Sequence, residues 1–165
     1  MNPHATRDDL MRLLEDLGIE HETHEHEPVF TVEEGNGVWD DIPARHCKNL
    51  FLKDAKKQLW LVTCPSDRDI DLKTLPGKIG SKRLSFGKPD LLLEVLGVTP
   101  GSVTPFSLMN DREARVTVVL DAEMMTEPRC GYHPLDNAAT TVIAPKDLRR
   151  FIAHTGHEVV EADLR

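Results

Sequence analysis

The stretch HCKNLFLKDAKKQLWLV, residues 46–62, constrains the fold more than any other part of the chain. Two apolar runs flank the polar segment KDAKK, the pattern of two antiparallel strands joined by a tight turn. Successive side chains of a strand point to opposite faces. Lys48, Leu50 and Leu52 therefore share one side, and Cys47, Asn49, Phe51 and Lys53 share the other. An ammonium at the end of an apolar face either reaches back to water or meets an anion, and the remaining segments have to decide which.

Upstream of the hairpin, Thr6 is placed to cap a helix over RDDLMRLLEDLG, where Leu10, Leu13, Leu14 and Leu17 form one stripe and Gly18 ends it. IEHETHEHEPVF alternates like a strand and is closed by Pro28, and TVEEGNGVWDDIP suggests a short helical turn and a loop. Downstream, DIDLKTLPGKIGSKRLSF suggests a short helix broken at Pro76-Gly77, then a basic loop. Pro89 fits the first position of a helix over PDLLLEVLG. VTPGSVTPFSL packs two prolines and a glycine between apolar flanks and is expected to be a structured loop. ARVTVVLDAEM and ATTVIAP are strands, the first with the near-continuous apolar run of a central one. PKDLRRFIAHTG is a closing helix, and HEVVEADL is a last short strand. Single strands and a hairpin mixed with short helices give an α+β or mixed α/β class: one domain over residues 1–165, with a central mixed β-sheet flanked by short helices.

A chain of 165 residues buries roughly 70% of its unfolded surface, enough for a real core. The N-terminus has no basic segment leading into an apolar one, and no run reaches the roughly 18 apolar residues of a membrane helix, so the cytoplasm is the expected compartment and no membrane partner is expected. Cys47, Cys64 and Cys130 form an odd set without CxxC spacing, which argues for reduced thiols rather than disulfides or structural zinc. The net charge of −8 argues against a nucleic-acid partner until it is divided. Residues 1–44 carry 2 basic and 12 acidic side chains, residues 45–88 carry 11 and 4, and residues 89–165 carry 7 and 12. A basic central third inside an acidic chain suits a surface that meets a polyanion, although from charge alone a lysine-rich hairpin and helix facing solvent is the simpler reading.

Several chemistries were weighed on single motifs. His21, His24 and His26 are metal-ligand types, but on a strand His24 and His26 face away from His21, glutamates interleave, and no HExxH follows. A solvated polar strand is the simpler reading, so no metal is expected. Cys47 or Cys130 with His133 resembles a thiol-base pair only in sequence distance, and GxSxG and GxxxxGK[ST] are missing. Three segments remain: Lys48 in KNLFL, the G-x-x-x-P loop from Gly101 to Pro105, and YHPLDN with His133 and Asn137.

Taken in order with PVFTVEE, LWLV, DLKTL, RLSFG and HPLDNAATTVI, these segments resemble the YbaK-type prolyl-tRNA editing domain family over nearly the whole chain. KNLFLKD, PGSVTPF and HPL-N-AT in one small domain are similar to its free-standing branch, which removes alanine from mischarged proline tRNA. The resemblance implies a trans-acting aminoacyl-tRNA deacylase without a cofactor, whose partners are the acceptor end of proline tRNA and, through it, prolyl-tRNA synthetase. Lys48 matches the family's lysine and is expected to hold the terminal phosphate or the charge developing on the ester carbonyl. Gly101 is expected to act through its backbone. His133 and Asn137 are expected to position the substrate, with Asn49, Phe30, Thr31 and Tyr132 as further pocket candidates. Lys82 and Arg83 are expected on acceptor-stem phosphates. EEGNGVWDD differs from the family's alanine-rich helix start, which leaves a cysteine or serine deacylase, or a binding module without hydrolysis, as alternatives.

Overall fold

Thr6 opens the first helix as its residue type predicts: its hydroxyl accepts from Asp9 N–H, and the Asp9 carboxylate accepts from Thr6 N–H at 2.9 Å, a capping box that satisfies two otherwise orphaned donors. The computed structural model describes residues 4–28 and 42–165. Phe30, Thr31 and nearly all of the turn and loop expected over residues 31–43 lie outside them.

Among the described residues the order is α1 (Arg7–Asp16), β1 (Glu22–Glu25), β2 (Arg45–Asp54), β3 (Leu59–Pro65), α2 (Leu75–Ile79), β4 (Leu84–Phe86) and α3 (Pro89–Leu96), followed by a 3-10 helix (Pro105–Asn110) and β5 (Val116–Asp121). After β5 come a short 3-10 turn (Met124–Thr126), β6 (Cys130–Tyr132), β7 (Ala139–Ile143), α4 (Pro145–Thr155) and β8 (Val159–Ala162). The strands form one mixed sheet in the order β1-β7-β6-β2-β3-β5-β8, with β4 also on β2. The β2/β6, β3/β5 and β5/β8 pairs are parallel and the rest antiparallel. No helix among the described residues is long and apolar enough to cross a membrane.

The hairpin of residues 46–62 forms as its pattern requires, and its alternation divides the core. Phe51 and Cys47 face the larger cluster, which α1, α3, α4 and the long 3-10 helix cover with Leu10, Leu14, Leu96, Phe106, Phe151 and their neighbours. Leu50 and Leu52 face a second cluster with Trp60, Val62, Cys64 and, from α2, Leu75 and Ile79. β5 lies between two parallel neighbours and is almost wholly buried, which explains its continuous apolar run.

Two expectations are corrected. Pro76-Gly77 does not break a helix: it lies in the first turn of α2, where proline's missing N–H costs nothing, and the helix ends instead at Gly80 with φ +79°. RLSF was expected at the end of a basic loop, yet Leu84–Phe86 pairs with Leu52–Asp54 as β4.

One feature of the sheet bears directly on function. β3 pairs with β2 along one edge from Cys47 to Lys53, while the other edge meets β6 only at Arg45 and His46 and β4 only at Leu52–Asp54. Among the described residues no strand covers that edge between these two contacts, so the sheet splits beside Lys48–Leu50.

Candidate functional site

The parallel register sets Arg45 beside Cys130 and His46 beside Gly131. Residues paired in this way point to the same side of a sheet. Arg45 and Cys47 therefore face with Cys130 and Tyr132, and His46 and Lys48 face with Gly131 and His133. On β7, Gly131 opposes Val142 and Tyr132 opposes Thr141, where the ladder ends and His133 follows. A Cβ built on Gly131 would lie 2.7 Å from Thr140 Cγ2 and 3.7 Å from His46 Nδ1, which confirms that these side chains occupy one face. Glycine is required there because the Thr140 methyl already fills the space. His46 and Thr140 thus meet over Gly131, and Lys48 stands two residues along β2 from His46, on the face that Leu50 and Leu52 continue.

Lys48 is half-buried and opposes Cys64 across the hairpin. Burial pushes the Cys64 thiol up to about 12, with the Lys48 ammonium the foremost influence in the other direction. Cys64 therefore stays a neutral thiol. His133 lies just past β6, and its Nδ1 is 3.2 Å from the carbonyl oxygen of Ala139. A carbonyl only accepts, so Nδ1 carries the proton and Nε2 is the acceptor nitrogen of the neutral ring. Burial lowers the His133 pKa below the ordinary histidine value, and His26 adds to this, against the opposing effects of Ala139 O and Asp136. The site therefore offers a half-buried cation and a neutral proton acceptor.

The loop leaving His133 is built with care. Leu135 has φ +72°, a left-handed conformation unfavourable to a residue with a Cβ. Asp136 receives two bonds from Arg7 of α1, Nε to Oδ2 at 2.9 Å and Nη2 to Oδ1 at 2.7 Å, and Oδ1 also accepts from Ala138 N–H. Burial raises the Asp136 pKa, but the Arg7 and Ala138 bonds outweigh it and hold the carboxyl below its usual range. Asn137 follows in the same loop.

The other sequence candidates fall in different surroundings. Asn49 points away from Lys48 and accepts from Thr63 Oγ1 at 2.6 Å, although its main chain lies at the split in the sheet. Gly101 ends a turn with φ +96°, a conformation that favours glycine, and the loop continues to Thr104, whose hydroxyl caps the 3-10 helix begun by Pro105. Tyr132 is a correction: it is 2% exposed, its hydroxyl donates to Met124 Sδ, and its ring packs edge-on against Phe106, so it belongs to the core rather than to a pocket wall. Lys82 and Arg83 are exposed beside the far end of β2, where Lys82 N–H donates to Asp54. There Lys53, Arg83, Phe86 and Lys88 line a groove of about 680 Å³, with Phe86 63% exposed.

The thiol-base arrangement is not built, since Cys130 faces the core and His133 the opposite side of the strand. All three cysteines are free. His26 is engaged by Thr140 Oγ1 and Glu27 O, each at 2.8 Å. Among the described residues no three His, Cys, Asp or Glu side chains are grouped to hold a metal ion. Sequence reasoning passed over His46 and Thr140. His46 was findable, since the period of two that singled out Lys48 puts it on the same face.

This fold is that of a tRNA-editing domain. The sequence model of the aminoacyl-tRNA editing domain matches residues 26–151, and the chain belongs to that family. Among curated relatives it is 41% identical to the prolyl-tRNA editing protein ProX of Acetoanaerobium sticklandii, covering 92% of this chain and 93% of that one. It is likewise 41% identical to prolyl-tRNA synthetase associated domain-containing protein 1 of Danio rerio, covering 96% and 87%. Among solved structures, a candidate trans-editing enzyme for prolyl tRNA synthetase superimposes with a TM-score of 0.71 at 19% identity, covering 96% of this chain and 98% of that one. The hypothetical protein APE2540 does so with a TM-score of 0.73 at 17% identity.

Proposed function

We propose that this protein is a trans-editing deacylase that hydrolyses the ester between a wrongly attached amino acid and proline tRNA, and that alanine is the amino acid it removes. The observation that carries the reading is the pairing of β2 with β6, which ends two residues before Lys48 on one strand and two before the neutral acceptor His133 on the other, in a member of the aminoacyl-tRNA editing family. The names of relatives that span most of the chain point to proline tRNA.

The chemical need is plain. A pocket made for proline cannot reject a smaller amino acid by size, because a missing methylene changes binding by only about 1–3 kcal/mol. A second site that admits alanine and excludes proline solves the problem, since exclusion of the larger group is steric. An aminoacyl ester is already reactive, so the protein has to orient it, admit water and stabilise charge. Lys48 compensates the negative charge that develops on the ester carbonyl or anchors the terminal phosphate. The Gly101 turn offers backbone groups fixed before binding, which lose little entropy when they engage. His133 and Asn137 orient the aminoacyl adenosine, and the adjacent ribose hydroxyl assists the attacking water. Asn49 contributes main-chain groups at the split. Phe30 and Thr31 remain proposed pocket residues.

Lys82 and Arg83 contact acceptor-stem phosphates along the groove at the far end of β2. The protein works in the cytoplasm on tRNA released by prolyl-tRNA synthetase, as one editing domain over residues 1–165. The decisive experiment charges proline tRNA with alanine, cysteine, serine or proline and follows ester loss with wild-type protein and Lys48→Ala. Selective loss of alanine, abolished by the substitution, is expected. Loss of cysteine or serine instead reassigns the substrate, and tight binding without ester loss replaces the enzyme by a binding module.

A further inference from the structure

The ion pair between Arg7 and Asp136 joins residues 129 positions apart and is part-buried, the side chains being 26% and 41% exposed. Pairs near the surface contribute little to folding unless their geometry is ideal. Its geometry is nonetheless the most specific available to such a pair, with two parallel bonds between guanidinium and carboxylate. A contact so directional fixes the relative position of the elements it joins.

We infer that Arg7 and Asp136 are positioning residues that hold the 133–138 loop, and with it His133 and Asn137, in the geometry the aminoacyl ester requires. This inference rests on the deacylase reading above. Several attachments of the loop act together. At its start, His133 Nδ1 is tied to Ala139 O. At its end, Ala138 N–H donates to Asp136 Oδ1 and Ala138 O accepts from His26 N–H. Between them Leu135 is held at φ +72°, a conformation that relaxes unless the surroundings impose it.

The remaining mobile point of such a loop is its tip, and Asp136 is there. Arg7 reaches it from a helix whose own start is fixed by the Thr6–Asp9 box and by Ala5 N–H donating to Asn110 Oδ1. The third arm of Arg7 donates to Glu25 Oε1 at 2.8 Å, on the strand that pairs with β7, so the guanidinium bridges helix, strand and loop. Lysine could supply the charge at position 7 but not the fork. The loop thus presents a histidine and an asparagine on a mount fixed before substrate arrives.

The test compares Arg7→Lys, Arg7→Ala and Asp136→Asn with wild type, measuring kcat and KM for deacylation of alanyl-tRNA(Pro), amide hydrogen exchange of the free protein, and Tm. For Arg7→Ala and Asp136→Asn we expect kcat to fall on the order of tenfold to a hundredfold with KM changed less than about twofold, as for misplaced orienting groups. Arg7→Lys falls between them and wild type. Exchange at Ala138 and the neighbouring loop amides should rise while the sheet amides and Tm stay as in wild type. Unchanged kcat and loop exchange, or a fall in activity that only follows a general loss of Tm, overturns the inference. Should wild type itself fail to deacylate this tRNA, the functional reading fails, while local exchange in the variants still decides whether the pair holds the loop.

Discussion

The two ends of β2 solve opposite problems. At the Arg45–Lys48 end the polar groups are half-buried and enclosed between strands: Lys48 against Cys64, His133 against Ala139 O, and Thr140 against His26. At the Lys53–Asp54 end the one buried carboxylate organises a turn, and the cations around it stand in solvent. The two ends are about 20 Å apart at the usual strand rise. A charge at the first end has few alternative positions and acts on one atom of a substrate. Charges at the second end are mobile and screened, suited to a backbone of repeated phosphates. On the proposed reading, orientation belongs to the first end, and capture to the second.

This contrast breaks most directly at Lys48. Lys48→Ala should lower kcat/KM for alanyl-tRNA(Pro) by about a hundredfold or more, the scale of losing one group that stabilises developing charge. Lys48→Arg should recover little, because a planar guanidinium cannot occupy the site of a compact ammonium. A tenfold or smaller loss in Lys48→Ala, measured with single-turnover kinetics, would move the chemistry elsewhere.

His133 sharpens the same end through pH. Its folded-state pKa lies below the ordinary histidine value of about 6.5, so the unfolded chain binds the proton more readily. Its contribution to stability is complete above about pH 6.5 and declines as the pH falls. If the neutral ring is the working form, kcat/KM should remain flat through pH 7 and fall only below about pH 6.5. His133→Ala should lower activity by roughly ten- to a hundredfold and remove that acid limb. A limb that survives the substitution belongs to another group.

Much of the first end could be read from the chain, and the reasons are physical. Lys48 stood out because a strand's period of two survives in any sheet, and the same rule explains why His46 faces with it. The rule holds at Tyr132 as well: next to His133 in sequence, it faces the other way, into the core, which its choice as a pocket residue left out of account. β4 and β6 have three residues each, too few for a period to appear, so the split in the sheet between them was not legible. Nor could any local pattern connect Arg7 to Asp136, since that contact exists only once β1 and β7 have paired. Phe30 and Thr31 remain sequence proposals.

At the other end Asp54 is the member whose loss should be felt by the whole fold. It accepts from Lys56 N–H, Gln58 N–H, Lys82 N–H and Trp60 Nε1. Burial raises its pKa, but the Trp60 bond and the backbone amides outweigh this and hold it below the usual carboxylate range. The stabilisation is present above about pH 4, the unfolded value, and is lost as the pH falls through the folded one. Asp54→Ala leaves several donors without a partner and should cost about 2–3 kcal/mol at neutral pH, a fall of roughly 5–10 °C in Tm for a chain of this size. Activity of the protein that remains folded should change far less than in Lys48→Ala. An equal collapse of both would mean that the two ends are not independent.

The smallest effect should come from Arg83, and it isolates what the exposed end does. If Arg83 neutralises a phosphate, Arg83→Ala should raise KM severalfold at low salt and leave kcat unchanged, because the substrate that does bind still meets Lys48 and His133 intact. The slope of log affinity against log salt should flatten by about one unit for the lost contact. As salt rises, wild type and variant should therefore converge, since screening removes from the wild type what the substitution removed from the variant. Lys48→Ala should show no such convergence, because a group that acts on the reacting ester is not replaced by ions that screen the surface. A salt-independent defect in Arg83→Ala, or a fall in kcat, would place Arg83 with the orienting groups and erase the division of labour along β2.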